Sequence, residues 1–123
     1  MLGPITAKRR KRKHEQALAL LAIIQKTFPL AFPPKNTTTV YPLQPDITQD
    51  LMRSLSVRGI LAREDDVQGA LNYWCSQKFY LKSFETQSHY VDLTGFETSP
   101  VSTDEREAAL AQKTELLRRR QAA

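Results

Sequence analysis

The sequence predicts a mainly helical α+β domain, with a small β-sheet or hairpin packed on helices, a basic N-terminal extension and a C-terminal helix. Three observations carry that prediction. Val67, Ala70, Leu71, Trp74 and Cys75 recur at the i, i+3, i+4, i+7 spacing of a helix with one buried face. Tyr90-Val91-Asp92-Leu93 alternates apolar and polar residues before a Thr94-Gly95 turn, the pattern of a short strand. A hydrophobic content of 41% over 123 residues suffices for one modest core.

Residues 1–14 read as a flexible basic extension, 15–100 as the folded unit and 101–123 as a C-terminal helix with a basic end. Lys8-Arg9-Arg10-Lys11-Arg12-Lys13 repels itself and is expected to stay frayed unless a polyanion neutralises it. The Ala/Leu-rich run from Glu15 to Thr27 then favours a helix, with Leu18, Leu21, Ala22 and Gln25 on one face. Pro29 ends it, and Phe28 to Pro34 forms a stiff elbow whose aromatics anchor the helix. After a polar loop from Lys35 to Thr39, Val40-Tyr41-Pro42-Leu43 reads as an edge strand paired with Tyr90 to Leu93.

A second helix starts at Asp46 or Thr48 and runs through Leu51, Met52 and Leu55 to a left-handed cap at Gly59. Ile60 and Leu61 are expected to fill the joint before the central helix, which begins near Arg63 to Asp66. Ser76 is placed to cap a short helix from Gln77 to about Glu85. That helix turns Phe79, Tyr80, Leu81 and Phe84 inward and leaves Lys78 and Lys82 one turn apart outside. Beyond Gly95, Pro100 and Ser102 mark a loop, and Ser102 with Glu105 makes a capping box for a final polar helix. Asp104, Glu105 and Glu107 at its start and Arg118, Arg119 and Arg120 at its end complement the helix dipole.

The chain carries 18 Lys+Arg against 13 Asp+Glu, a net charge of +5, and its pI is 9.6. That balance favours a polyanionic partner. Cys75 has no second cysteine to pair with, so a buried, reduced thiol in a cytoplasmic protein is expected. The longest apolar run, Ala17 to Ile24, falls well short of the roughly 20 residues a bilayer requires, and Gln25-Lys26 stands where a signal peptide would need small residues. Neither membrane insertion nor export is expected. Glycine-rich phosphate loops, CxxC pairs, histidines at metal spacing and G-x-S-x-G are all missing, so the expectation is a non-enzyme without catalytic residues, metal or cofactor. Two reading classes remain: a nucleic-acid binder, or an interaction domain whose basic tails only solubilise it.

Phe28-Pro29 with Phe32, Pro42-Leu43 followed by Gln49-Asp50-Leu51, Ala70-Leu71, Tyr80-Leu81-Lys82 and Val91-Asp92-Leu93 with Gly95 occur in an order that resembles the FinO/ProQ family of bacterial RNA-binding proteins and RNA chaperones. The resemblance spans about residues 15 to 110 and rests on collinearity. It implies a monomer that binds structured RNA, typically a stem-loop with a short 3′ single-stranded tail, and promotes or protects regulatory RNA pairing. The expected RNA-binding residues are Lys8, Arg9, Arg10, Lys11, Arg12, Lys13, Lys35, Lys78, Tyr80, Lys82, Tyr90, Arg118, Arg119 and Arg120. Tyr80 matches the family's tyrosine, and two readings stay open for it: a surface for an unpaired base beside Lys78 and Lys82, or a buried core tyrosine. Three departures stand out. Tyr90 replaces an arginine before Val-Asp-Leu, Gln44 replaces a basic residue after Pro-Leu, and Glu64-Asp65-Asp66 put carboxylates where the family places polar and basic residues.

Overall fold

The computed structural model describes the backbone of residues 3–34 and 39–122 and the side chains of residues 10–34 and 39–121. Lys35 lies outside the described residues, as do the side chains of Lys8 and Arg9. In chain order the elements are α1 (Gly3–Thr27), α2 (Ile47–Val57), α3 (Glu64–Cys75), α4 (Lys78–Thr86), β1 (His89–Val91), β2 (Glu97–Pro100) and α5 (Thr103–Ala122).

Helix α1 runs through the basic block instead of starting at Glu15. Pro4 sits in its first turn, where no intrahelical N–H is needed. The core-facing stripe is Ala17, Leu20, Leu21, Ile24 and Phe28, rotated from the expected one; Leu18 and Gln25 are half-buried and Ala22 is exposed. The rotation follows from α3, which crosses α1 so closely that a Cβ on Gly69 would lie 3.4 Å from that of Ala17. Pro29 supplies no N–H, and the chain turns through Phe32 N–H donating to the Phe28 carbonyl at 2.9 Å. Phe32 is fully buried, edge-on to Trp74 with ring centroids 5.5 Å apart, so the elbow does anchor α1. Arg58 stacks over the Phe28 ring at 4.9 Å.

Helix α2 buries Ile47, Leu51 and Leu55 and ends in a Schellman motif. Ile60 N–H donates to the Leu55 carbonyl, Gly59 N–H donates to the Ser56 carbonyl, and Gly59 takes φ +74°. Leu61 does not fill the following joint; it is 97% exposed. Helix α3 buries Val67, Ala70, Leu71 and Trp74, as its spacing predicts, and α4 buries Tyr80, Leu81 and Phe84. Gln77 rather than Ser76 occupies the N-cap of α4, because the Ser76 hydroxyl donates back to the Tyr73 carbonyl.

The sheet differs from expectation. Val40 to Leu43 forms no strand; a single parallel bridge joins Leu43 to Val91, through Val91 N–H to the Pro42 carbonyl at 2.9 Å and Gln44 N–H to the Val91 carbonyl at 3.1 Å. Pro42 and Pro45 lack the donors that a longer ladder needs. The partner of β1 is instead β2, antiparallel, in the segment expected to be loop. Asp92 builds the turn between them: its Oδ1 accepts the Thr94 and Phe96 N–H groups, and Gly95 turns at φ +86°. In α5, Glu105 N–H donates to the Ser102 hydroxyl, the first half of the expected capping box. Arg106 fastens α5 to the end of α4 by donating to the Phe84 and Gln87 carbonyls, and a Lys113–Glu85 ion pair extends the contact.

Candidate nucleic-acid interface

Arg10, Lys11, Arg12 and Lys13 are all exposed on α1. Rigid helix geometry spreads successive cations around the axis, so they cannot all meet one surface. At the core end of this block the structure sets base against acid. Lys13 and His14 share a cleft of about 420 Å³ with Asp65 and Asp66 from the first turn of α3. The carboxylates that complement the α3 dipole thus also face the last cation of the block.

A second basic site forms between elements far apart in sequence. Lys78 and Lys82 of α4 are exposed and line a groove of about 360 Å³ with Gln77, Phe79 and Arg120 of α5. The Arg106 clamp and the Lys113–Glu85 pair fix α5 in the register that brings Arg120 here. Arg118 and Arg119 are exposed and each approaches Glu115 at 3.4 Å, which partly satisfies their charge on the helix surface.

Tyr80 and Tyr90 both lie in the core, which agrees with the inward face expected for α4 and corrects the expectation of a base-stacking ring beside Lys78 and Lys82. Tyr80 is 5% exposed and Tyr90 is 3% exposed, with Phe84 packed edge-on between them. Neither ring face is free to stack on a base. Both residues instead line a cleft of about 240 Å³, together with Gln44, Thr48, Gln68 and Asn72. Leu43 N–H donates to the Tyr80 hydroxyl at 3.0 Å, holding the lip of the cleft to α4. Burial, and then the neighbouring Cys75, push Tyr80 far above the ordinary phenol range, with the Leu43 bond opposing. Burial likewise pushes the Cys75 thiol up to about 11, against a bond from Tyr80, so the thiol stays protonated at neutral pH. The Tyr90 hydroxyl is buried without a partner among the described residues.

A relay of side chains forms one wall: the Thr48 hydroxyl donates to Gln68 Oε1 at 3.3 Å, and Gln68 Nε2 donates to Asn72 Oδ1 at 2.9 Å. Glu105 is the one charged residue in this lining. Sequence reasoning missed Thr48, Gln68, Asn72 and Glu105. Gln68 and Asn72 are one helical turn apart, but only the fold brings α2, α3 and α5 together around them. Among the described residues no group of three or more His, Cys, Asp or Glu is placed to hold a metal ion. No described helix is long and apolar enough to cross a membrane.

The architecture has a solved counterpart. A ProQ homolog from Legionella pneumophila, determined by NMR in solution, superposes with a TM-score of 0.64 at 24% identity, over 80% of this chain and 81% of that one. At that identity the likeness speaks for the fold alone. Among curated proteins the chain has no match. The ProQ/FINO family profile matches residues 14–123, which takes in every element from the core-facing part of α1 to α5. With that match across almost the whole fold, the chain belongs to the ProQ/FinO family of RNA-binding proteins.

Proposed function

We propose that this protein is a cytoplasmic, monomeric RNA chaperone that binds regulatory RNA at a stem-loop carrying a short 3′ single-stranded tail. In this reading the basic block, on the N-terminal half of α1, draws in the duplex backbone, and the cleft beside Tyr80 and Tyr90 receives the terminal nucleoside. The chemistry of the cleft lining carries the proposal. The polar part of the lining, amides, hydroxyls and one carboxylate, Glu105, suits a terminal ribose whose vicinal hydroxyls donate and accept, and the carboxylate repels a terminal phosphate. The unpartnered Tyr90 hydroxyl supplies a further group for a ligand to satisfy.

Competition binding with three versions of one hairpin tests the proposal: a 3′ overhang ending in a free diol, the same overhang ending in 3′-phosphate, and a blunt end. A terminal phosphate would lose hydrogen bonds and meet Glu105, so affinity should fall by about tenfold, roughly 1.4 kcal/mol. The blunt hairpin should lose at least as much. Equal binding of all three would remove the cleft from RNA recognition.

A further inference from the structure

Tyr80 and Phe84 look onto the cleft described above, whereas Lys78, Phe79 and Lys82 line the groove against Arg120. Positions two apart on a helix point about 200° apart, so the two hollows lie on opposite sides of α4. The groove does not stop at Arg120. Gln77 and Phe79 also line a hollow of about 290 Å³ against α1, bordered by Trp74 and Gln25. The two hollows adjoin at Gln77 and Phe79 and are treated together as one channel, with cations at one end and aromatic, aliphatic and amide groups at the other.

Three observations say what this channel fits. Its lining holds no carboxylate, in contrast to the clefts beside Asp65 and Asp66, beside Asp50 and Asp92, and at Glu105. The cations at Lys78 and Lys82 sit one helical turn apart with the half-buried Phe79 ring next to them, a combination that pairs backbone phosphates with a stacked base. Trp74 and Phe79 lie edge-on with ring centroids 5.0 Å apart, so the channel sets two aromatic rings beside the amides of Gln25 and Gln77, a lining suited to an unpaired base.

We propose that this channel is a second RNA site, which holds a single strand on one side of α4 while the stem-loop end occupies the other. The inference rests on the RNA-binding reading above and adds simultaneous occupancy: one chain brings two RNA segments together. Strand pairing would then be promoted by effective concentration, with no new contact between the protein and the paired bases.

The test uses the full chain saturated with a donor-labelled hairpin bearing a 3′ overhang, to which an acceptor-labelled unstructured oligouridine is added. Energy transfer with the hairpin still bound is expected, and 4-thiouridine in the oligomer should crosslink within residues 73–82. The combined variant Lys78→Ala, Lys82→Ala, Arg120→Ala should weaken oligouridine capture about tenfold or more while the complex with the hairpin still forms. Displacement of the hairpin by the oligouridine, or loss of both RNAs together in the variant, would mean one shared site and overturn the proposal. Polyglutamate removing the oligouridine at equal charge would make the channel a general anion surface and overturn it as well. A hairpin that fails to bind from the outset would sink the RNA-binding reading itself, whereas a bound hairpin without energy transfer would sink only the second site.

Discussion

Replacing the cations of the basic block, as Lys8→Gln, Arg9→Gln, Arg10→Gln, Lys11→Gln, Arg12→Gln and Lys13→Gln together, should make RNA affinity markedly less salt-dependent, by an amount that the helix sets. Glutamine keeps the helical propensity of α1 while removing the charge. The block is helical throughout, and successive positions step about 100° around the axis, so its six cationic positions circle the helix completely. A rigid duplex lies along one side and meets about half of them, some three positions. At about 0.9 per phosphate neutralised, the slope of log affinity against log salt should shrink by about 2.7 for the variant. Between 50 and 200 mM salt that amounts to roughly a 40-fold smaller loss of affinity than the parent shows. Fluorescence anisotropy with a hairpin across a salt series measures both slopes directly. A reduction of about five or more would show that the block wraps RNA as a flexible chain, and an unchanged slope would show that it touches no phosphate.

Three further outcomes follow from the packing. Gly95→Ala should destabilise the fold by about 2 kcal/mol or more in urea denaturation, because φ is +86° and the new Cβ would lie 2.8 Å from the Leu30 Cβ. Gly59→Ala, at φ +74° with nothing within 4 Å, should cost only about 1 kcal/mol, and equal losses at the two sites would refute the steric argument. Tyr80→Phe keeps the ring packing but strips the buried Leu43 N–H of its acceptor, which should cost about 1–3 kcal/mol; a neutral substitution would mean that the lip of the cleft is free of α4. For Asp92, burial raises the carboxyl, but bonds from Thr94, Phe96 and Gly95 more than offset this and leave it below its ordinary value of 3.8. Its contribution is therefore present above that value and lost as pH falls through the lower folded one. The stability gap between the parent and Asp92→Asn should be steady from neutral pH down to about pH 4 and narrow in stronger acid, as urea midpoints would report.

Much of the helical frame was legible because local signals and tertiary packing agree there. The spacing from Val67 to Trp74 and the left-handed glycine after α2 both appear where the sequence puts them. Helix α1 shows the opposite case: its apolar positions are dense enough to outline two faces, and only the close approach at Gly69 decides which one is buried. Strand β2, Glu-Thr-Ser-Pro, is exposed at every position and contains a proline, so nothing in its composition announces a strand; the Asp92 turn imposes it. Within the site, charge was readable and depth was not. The exposed lysines of α4 were visible from helical spacing, whereas the burial of Tyr80 and Tyr90 depends on Phe84 and on the approach of the Leu43 segment. The polar wall of Thr48, Gln68 and Asn72 joins side chains from two helices and left no pattern in the linear sequence.

The carboxylates of Asp65 and Asp66 line one cleft with Lys13 and His14. An RNA phosphate that approaches Lys13 therefore meets fixed negative charge in the same cleft. Repulsion from those carboxylates offsets part of the attraction, so the cation nearest the core contributes less to affinity than those farther out along α1. Because the carboxylates belong to the first turn of α3, that repulsion persists for as long as the phosphate stays near Lys13. The consequence is kinetic: grip is weakest where the helix joins the core, and release can begin there and peel outward.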